Sequence, residues 1–159
     1  MLLHPRTVFL ITLLVAVATL AAALIAQFGF GLKPCVLCLW QRLPYALLMG
    51  VAGVGLILKN RFTAPFLVVC VLLALTSAGL AFTHIGVEHH WWRIGTGCVA
   101  EPLGGKTETE VLAALLSTPQ ASCDEVAWKI FGFSITYWNA ALSLVLALYH
   151  LLALKKARI

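Results

Sequence analysis

The sequence predicts an all-α membrane protein: a four-transmembrane-helix bundle, up-down-up-down, with a short surface helix in its second outer loop. Three observations predict it. The 159 residues are 62% hydrophobic and only 11% charged, too little charge to cover a soluble domain of this size. Four long runs, 8–26, 43–58, 62–83 and 130–154, contain no Asp, Glu, Lys or Arg. A spanning helix needs ~20 such residues, with a range of roughly 17 to 25. The charges gather at the ends of these runs, so the formal net charge of +5 reads as membrane topology rather than as a nucleic-acid surface. Membrane lipid is therefore an expected partner and nucleic acid is not. The length suits one four-helix domain over 1–159.

The first run carries Ala21-Ala22-Ala23, which resembles a signal-peptide cleavage site. The run exceeds the usual h-region of roughly 7 to 15 residues, so it reads as a retained helix. The second run is short, and its flanking Arg42 and Lys59 are expected to snorkel. Ala46, Gly50 and Gly53 offer it a small-residue face for close helix packing. The tight Lys59–Arg61 turn makes the second and third helices antiparallel neighbours. Outer loops are expected at 27–42 and 84–129. Within the longer loop, Thr107-Glu108-Thr109-Glu110 matches a capping box, an apolar stretch follows from Val111, and Pro119 stops it. That short helix lies on the membrane surface or packs on the end of the bundle.

Orientation follows from Lys and Arg in short segments. The N-terminus, the Lys59–Arg61 turn and the C-terminal tail hold Arg6, Lys59, Arg61, Lys155, Lys156 and Arg158, with no acid. The two other connections hold Lys33, Arg42, Arg93, Lys106 and Lys129, together with Glu88, Glu101, Glu108, Glu110, Asp124 and Glu125. Both termini are expected in the cytoplasm and both acid-bearing loops outside.

Four of the five cysteines then face the side where disulfides persist, two in each loop. Cys35 and Cys38 form a Cys-x-x-Cys, and Cys98 and Cys123 lie in the second loop. A structural bridge suits the second pair as well as a redox role does. It suits the first pair poorly, because so small a loop removes little unfolded-chain entropy. The Cys-x-x-Cys spacing instead lets one thiol resolve a bond made by the other. Pro34 suits a first helical position, which would put both sulfurs in one helical turn where the dipole favours thiolate. Arg42 lies one turn beyond Cys38 on the same face; it stabilises a thiolate there or anchors the helix at the headgroups. Pro44 is expected to interrupt or restart the helix. No metal is expected: 24 residues separate Cys98 from Cys123, unlike the close ligand pairs of structural zinc. Leu39 occupies the place where a c-type haem motif needs His. Cys70, alone in the third run, reads as a small core hydrophobe.

Pro34-Cys35-Val36-Leu37-Cys38 with Gln41-Arg42, then Gly86-Val87-Glu88-His89, Cys98, and Cys123-Asp124-Glu125-Val126-Ala127-Trp128 before Phe131-Gly132-Phe133-Ser134, together resemble the DsbB family of disulfide bond formation proteins over nearly the whole chain. The resemblance implies a quinone-dependent thiol oxidase of the bacterial inner membrane, serving a periplasmic thioredoxin-fold oxidant of the DsbA type. It implies that Cys98 is attacked by the partner's thiolate and that Cys123 passes reducing equivalents to Cys35. Cys38 would reduce the quinone, ubiquinone or menaquinone, with Arg42 and His89 beside the ring. A functional monomer is expected. His84 reads as a packing or interface residue. His90 is a weaker candidate for the same ring contact and otherwise belongs, with Trp91 and Trp92, to an interface belt. Second-loop spacing and composition depart from the family's familiar form, which leaves the thiol partner open, a dedicated one included. Two other readings stand beside this one: a quinone enzyme of the vitamin K epoxide reductase type, and a scaffold with two structural disulfides.

Overall fold

The computed structural model describes residues 3–58, 63–94, 121–126 and 128–157. Four helices carry the fold: α1 (Pro5–Leu24), α2 (Val36–Ile57), α3 (Thr63–Glu88) and α4 (Ile135–Ala157). Each is long and apolar enough to cross a membrane, so the chain is a multi-pass membrane protein. The surface helix expected after Thr107 lies outside the described residues, as does the Lys59–Arg61 turn.

Pro5 starts α1 at a position where its missing N–H is no loss. At its far end α1 widens into one π turn, Ile25–Gly29. α2 begins at Val36, seven residues before the apolar run at Leu43, because Cys35 caps it. Cys35 is extended (φ −78°, ψ 171°) and its sulfur accepts the Cys38 N–H at 3.2 Å. Pro34 therefore precedes the cap instead of occupying the first helical position. α2 also runs unbroken through Pro44. The proline has no N–H to offer the carbonyl four residues back, and the loss stays confined to that one rung of a continuous helix.

α3 continues to Glu88, five residues past its apolar run. It closes with a paired cap: His90 N–H donates to the Val87 carbonyl at 3.0 Å and Trp91 N–H to the Gly86 carbonyl at 2.8 Å. His90 takes the left-handed conformation (φ 58°) that such a cap requires. The Trp92 indole then folds back over Gly86, where a Cβ would sit 2.1 Å from its ring. α4 begins at Ile135, not at Ile130. Residues 129–134 form a two-stranded antiparallel hairpin, β1 (Lys129–Ile130) with β2 (Phe133–Ser134). Its turn residues Phe131 (φ 51°) and Gly132 (φ 84°) are both left-handed, as a two-residue hairpin turn demands. Ser134 then caps α4, its hydroxyl accepting the Thr136 N–H at 3.3 Å.

α2 packs between α1 and α3, and α3 against α4. Phe9, Tyr45, Leu48, Leu67, Cys70, Ala74 and Leu146 form the core, so Cys70 is a buried apolar filler. The expected small-residue face is not the packed one. Ala46 and Gly50 are exposed, and no described residue lies within 4 Å of where a Cβ on Gly50 or Gly53 would be. Ala52 and Gly55 are buried instead, and Gly55 has the Phe9 ring 3.0 Å from where its Cβ would be. Gly55 thus sets the close approach of α1 to α2. At the other end of α4, buried His150 lies 2.8 Å from the Thr12 hydroxyl, which itself donates to the Val8 carbonyl. Thr12 must therefore accept from His150 Nε2–H, pinning α4 to α1.

Candidate functional site

The end of the bundle where α2 starts and α3 stops gathers the polar chemistry. Cys35 and Cys38, one helical turn apart, place their sulfurs 2.8 Å from each other, with the Cys35 thiol donating to the Cys38 sulfur. Both are free thiols. Cys35 is buried and Cys38 only half-buried, so Cys38 is the more accessible of the two. The Cys35 thiol is pushed well above its ordinary pKa, first by the hydrogen bond it gives to Cys38 and then by burial. Cys35 is thus the protonated partner and Cys38 Sγ the acceptor.

Cys123 is fully buried and joins Cys35, Leu37 and Val87 in a single apolar cluster. The second loop therefore returns one cysteine directly to the Cys-x-x-Cys. Cys98 lies outside the described residues.

His84 holds a position that the sequence reading did not give it. Its Nε2 is 3.6 Å from Cys35 Sγ and 3.9 Å from Glu88 Oε1, one turn along α3. Its Nδ1 is 2.8 Å from Gln41 Nε2. Gln41 Oε1 accepts from Asn139 Nδ2, and Asn139 Oδ1 accepts from the Tyr45 hydroxyl at 2.7 Å. Tyr45 also meets Ser143 at 3.0 Å, and Ser143 donates to Ser77 at 2.9 Å. With the amides in this sense, Gln41 donates to His84 Nδ1, so Nε2 carries the ring proton and faces Cys35. Glu88 Oε1 accepts from Ser134 at 2.7 Å and Thr136 at 2.8 Å, while Oε2 is buried without a partner among the described residues. Cys35, Cys38, His84 and Glu88 line one small cavity with residues of the second loop and of the β2–α4 corner.

Arg42 and His89 sit on different sides of this centre. Arg42 Nη1 donates to Gln27 Oε1 at 2.6 Å and Nη2 to the Ala23 carbonyl at 3.5 Å. It thereby holds α2 to the π-wound end of α1, where a cation complements the helix dipole. Its charge is also felt at the Cys38 sulfur. His89 is exposed, 2.6 Å from the Tyr137 hydroxyl on α4, and stacked on Trp91 with centroids 5.4 Å apart. The cavity is too small for a quinone ring. Leu39, Trp40 and Leu43, near Arg42 in the first turns of α2, are exposed.

The signal for His84 was present in the sequence. His84 and Glu88 are four apart at the end of an apolar run, and an ionisable residue in such a run marks a site by default. Gln41 and Asn139 could be paired only by the fold, since they are 98 positions apart in the sequence.

Residues 5–153 match the family described as disulfide bond formation protein DsbB. The chain is 32% identical over 162 residues to Disulfide bond formation protein B of Xanthomonas oryzae pv. oryzae, covering 96% of this chain and 92% of that protein. It is 32% identical over 139 residues to the protein of the same name from Pasteurella multocida, covering 83% and 74%. It is 28% identical over 145 residues to Uncharacterized protein RP370 of Rickettsia prowazekii, covering 88% and 82%.

Proposed function

This chain belongs to the DsbB family of disulfide bond formation proteins, and on that premise we propose that it is a membrane thiol:quinone oxidoreductase. It re-oxidises a periplasmic thioredoxin-fold dithiol protein of the DsbA type and passes the electrons to ubiquinone or menaquinone. It resides in the bacterial inner membrane as a monomer, with both termini cytoplasmic and both cysteine loops periplasmic. The observation that carries this reading is the burial of Cys123 against Cys35 in one cluster, at the end of the bundle where Cys38 is open to its surroundings.

The relay is a series of thiolate attacks on disulfide sulfurs. In the oxidised protein Cys98 is bonded to Cys123, and Cys35 to Cys38. The partner's thiolate attacks Cys98, forming a mixed disulfide and freeing Cys123. Cys123 attacks Cys35, forming a bond between the loops and freeing Cys38 as thiolate. The partner's second thiol closes its own disulfide and releases Cys98. Cys98 then retakes Cys123, which leaves Cys35 and Cys38 as the dithiol arrangement seen here. A bound quinone supplies a two-electron, two-proton sink. Cys38 faces that sink while Cys35, donating its thiol proton toward the Cys38 sulfur, is set to close the bond between them. The sum is one dithiol oxidised and one quinone reduced to quinol.

Arg42 supplies a fixed positive charge beside the Cys38 sulfur and beside any oxygen that becomes negative. His89 offers a ring nitrogen at the rim, held by Tyr137. The test mixes purified protein, a reduced thioredoxin-fold dithiol and a soluble quinone analogue, and follows quinone absorbance. Reduction by the wild type, lost in Cys38→Ser and in Cys98→Ser, is expected. No reduction across several quinones and dithiol partners would overturn the proposal. A preference for vitamin K epoxide over quinone would move the chain to the rival enzyme class.

A further inference from the structure

We infer that the reduced Cys35–Cys38 pair forms, with His84 and Glu88, a binding site for a thiophilic divalent cation of the zinc type, which locks the dithiol against oxidation. The spacing of the four loop cysteines argued against a zinc ion shared among them. The fold supplies different partners for the first pair. Cys35 Sγ, Cys38 Sγ and His84 Nε2 all lie within 4.8 Å of one another. Two thiols and an imidazole are the donor set that zinc prefers.

The distances fit a tetrahedral ion after one adjustment. Bonds of about 2.3 Å to sulfur and about 2.05 Å to nitrogen put sulfur and nitrogen roughly 3.6 Å apart and two sulfurs roughly 3.8 Å apart. Cys35 Sγ and His84 Nε2 are already 3.6 Å apart. The two sulfurs, at 2.8 Å, must open by about an ångström, within reach of a rotation at Cys38, which is only half-buried. A fourth ligand is at hand. The Glu88 side chain is 5% exposed and its Oε1 lies 3.9 Å from His84 Nε2. Its Oε2 is buried with no hydrogen-bond partner among the described residues, although Oε1 takes two hydroxyl donors. A buried carboxylate oxygen left bare, beside two thiols and an imidazole in one cavity, is an acceptor without its cation.

Binding displaces two thiol protons to solvent and forms two metal–sulfur bonds, with no change in oxidation state. His84 must ligate through Nε2, so its ring proton moves to Nδ1. Gln41 then turns to offer Oε1, and Asn139 turns with it. The Gln41–Asn139–Tyr45 chain can reverse in this way because each amide carries both a donor and an acceptor. The bound state holds both sulfurs in metal bonds and blocks Cys38 from giving up electrons. Formation of the Cys35–Cys38 disulfide removes both thiolates, so the site exists only in the reduced protein.

The test is a competitive titration of the full chain in detergent, reduced, with Zn2+ against a chromogenic chelator. It is run in a Cys98→Ser background, so that Cys123 has no loop partner. One equivalent is expected to bind. Affinity should fall at least tenfold in His84→Gln and in Glu88→Gln, vanish on oxidation of the pair, and stay unchanged in Cys70→Ser. Cd2+ substitution should give a thiolate charge-transfer band that Cys35→Ser weakens. Equal affinity in the His84→Gln, Glu88→Gln and unsubstituted proteins, each shown folded by circular dichroism, would overturn the inference, as would binding that survives oxidation. Neither quinone nor thiol partner is present, so failure here leaves the electron relay standing, and failure of quinone reduction leaves this site standing.

Discussion

Asn139→Leu removes one of two α4 residues, with Ser143, that join α4 to α2 through side-chain hydrogen bonds. Asn139 receives the Tyr45 hydroxyl at 2.7 Å and donates to Gln41 Oε1. Without it, Tyr45 still has Ser143 at 3.0 Å, so that hydroxyl loses little. Gln41 Oε1 is different: Gln41 is buried, and its oxygen is left with no donor. An orphaned buried acceptor costs about 1–3 kcal/mol, and polar pairs between membrane helices average nearer ~0.6 kcal/mol. The expected loss is therefore about 1–2 kcal/mol, or a fall in melting temperature of roughly 3–6 °C in detergent. A second readout separates this account from loss of packing. In the wild type Gln41 donates to His84 Nδ1, so nitrogen-15 spectra of the His84 ring should show the Nε2–H tautomer alone. In the variant Gln41 is free to turn, and the Nδ1–H tautomer should appear. An unchanged melting temperature, or a wild-type ring already protonated at Nδ1, would refute the reasoning.

Three further outcomes follow from the same geometry. Gly86→Ala places a methyl 2.1 Å from the Trp92 ring and expels it, breaking its hydrogen bond to the Thr83 carbonyl; the cost should be about 1–2 kcal/mol, with a red shift of Trp92 emission measured by difference against Trp92→Phe, and an unshifted Trp92 would contradict this. Cys35 carries a raised pKa whose first cause is the bond to Cys38, so it stays a protonated thiol at pH 8.5, where an ordinary cysteine is about half thiolate. In the reduced protein iodoacetamide should label it at least tenfold faster in Cys38→Ser at that pH, and equal rates would count against the assignment. Thr12→Val strands the buried His150 Nε2–H at about 1–3 kcal/mol by chemical denaturation, whereas adding His150→Leu should restore most of it, since replacing both partners removes the orphan.

The runs without charge made the bundle legible, and the Cys-x-x-Cys with its flanking Pro34 and Arg42 made the redox pair legible. The errors arose where a rule about charge stood in for one about caps. Arg42 ended the apolar run at Leu43, yet the helix starts at Val36 because a sulfur caps it. Ile130 extended the last run, yet two left-handed turn residues and the Ser134 cap delay α4 to Ile135. The small-residue stripe misled for another reason: close approach depends on which face a neighbour covers, and Phe9 covers Gly55 rather than Gly50. His84, Gln41 and Asn139 are single polar residues amid apolar neighbours. Each announces an unseen partner, but only the fold says which.

The account's central claim is that electrons enter the Cys-x-x-Cys at Cys35 and come from Cys123. The most direct measurement traps that step. In the Cys38→Ser, Cys98→Ser double variant a bond between Cys35 and Cys123 persists once formed, because the two thiols that would attack it are gone. Membranes from cells making this variant are alkylated without reductant, digested, and mapped by mass spectrometry. A dominant peptide pair bridged between Cys35 and Cys123 is the predicted result. Cys35 and Cys123 both alkylated as free thiols would contradict the account.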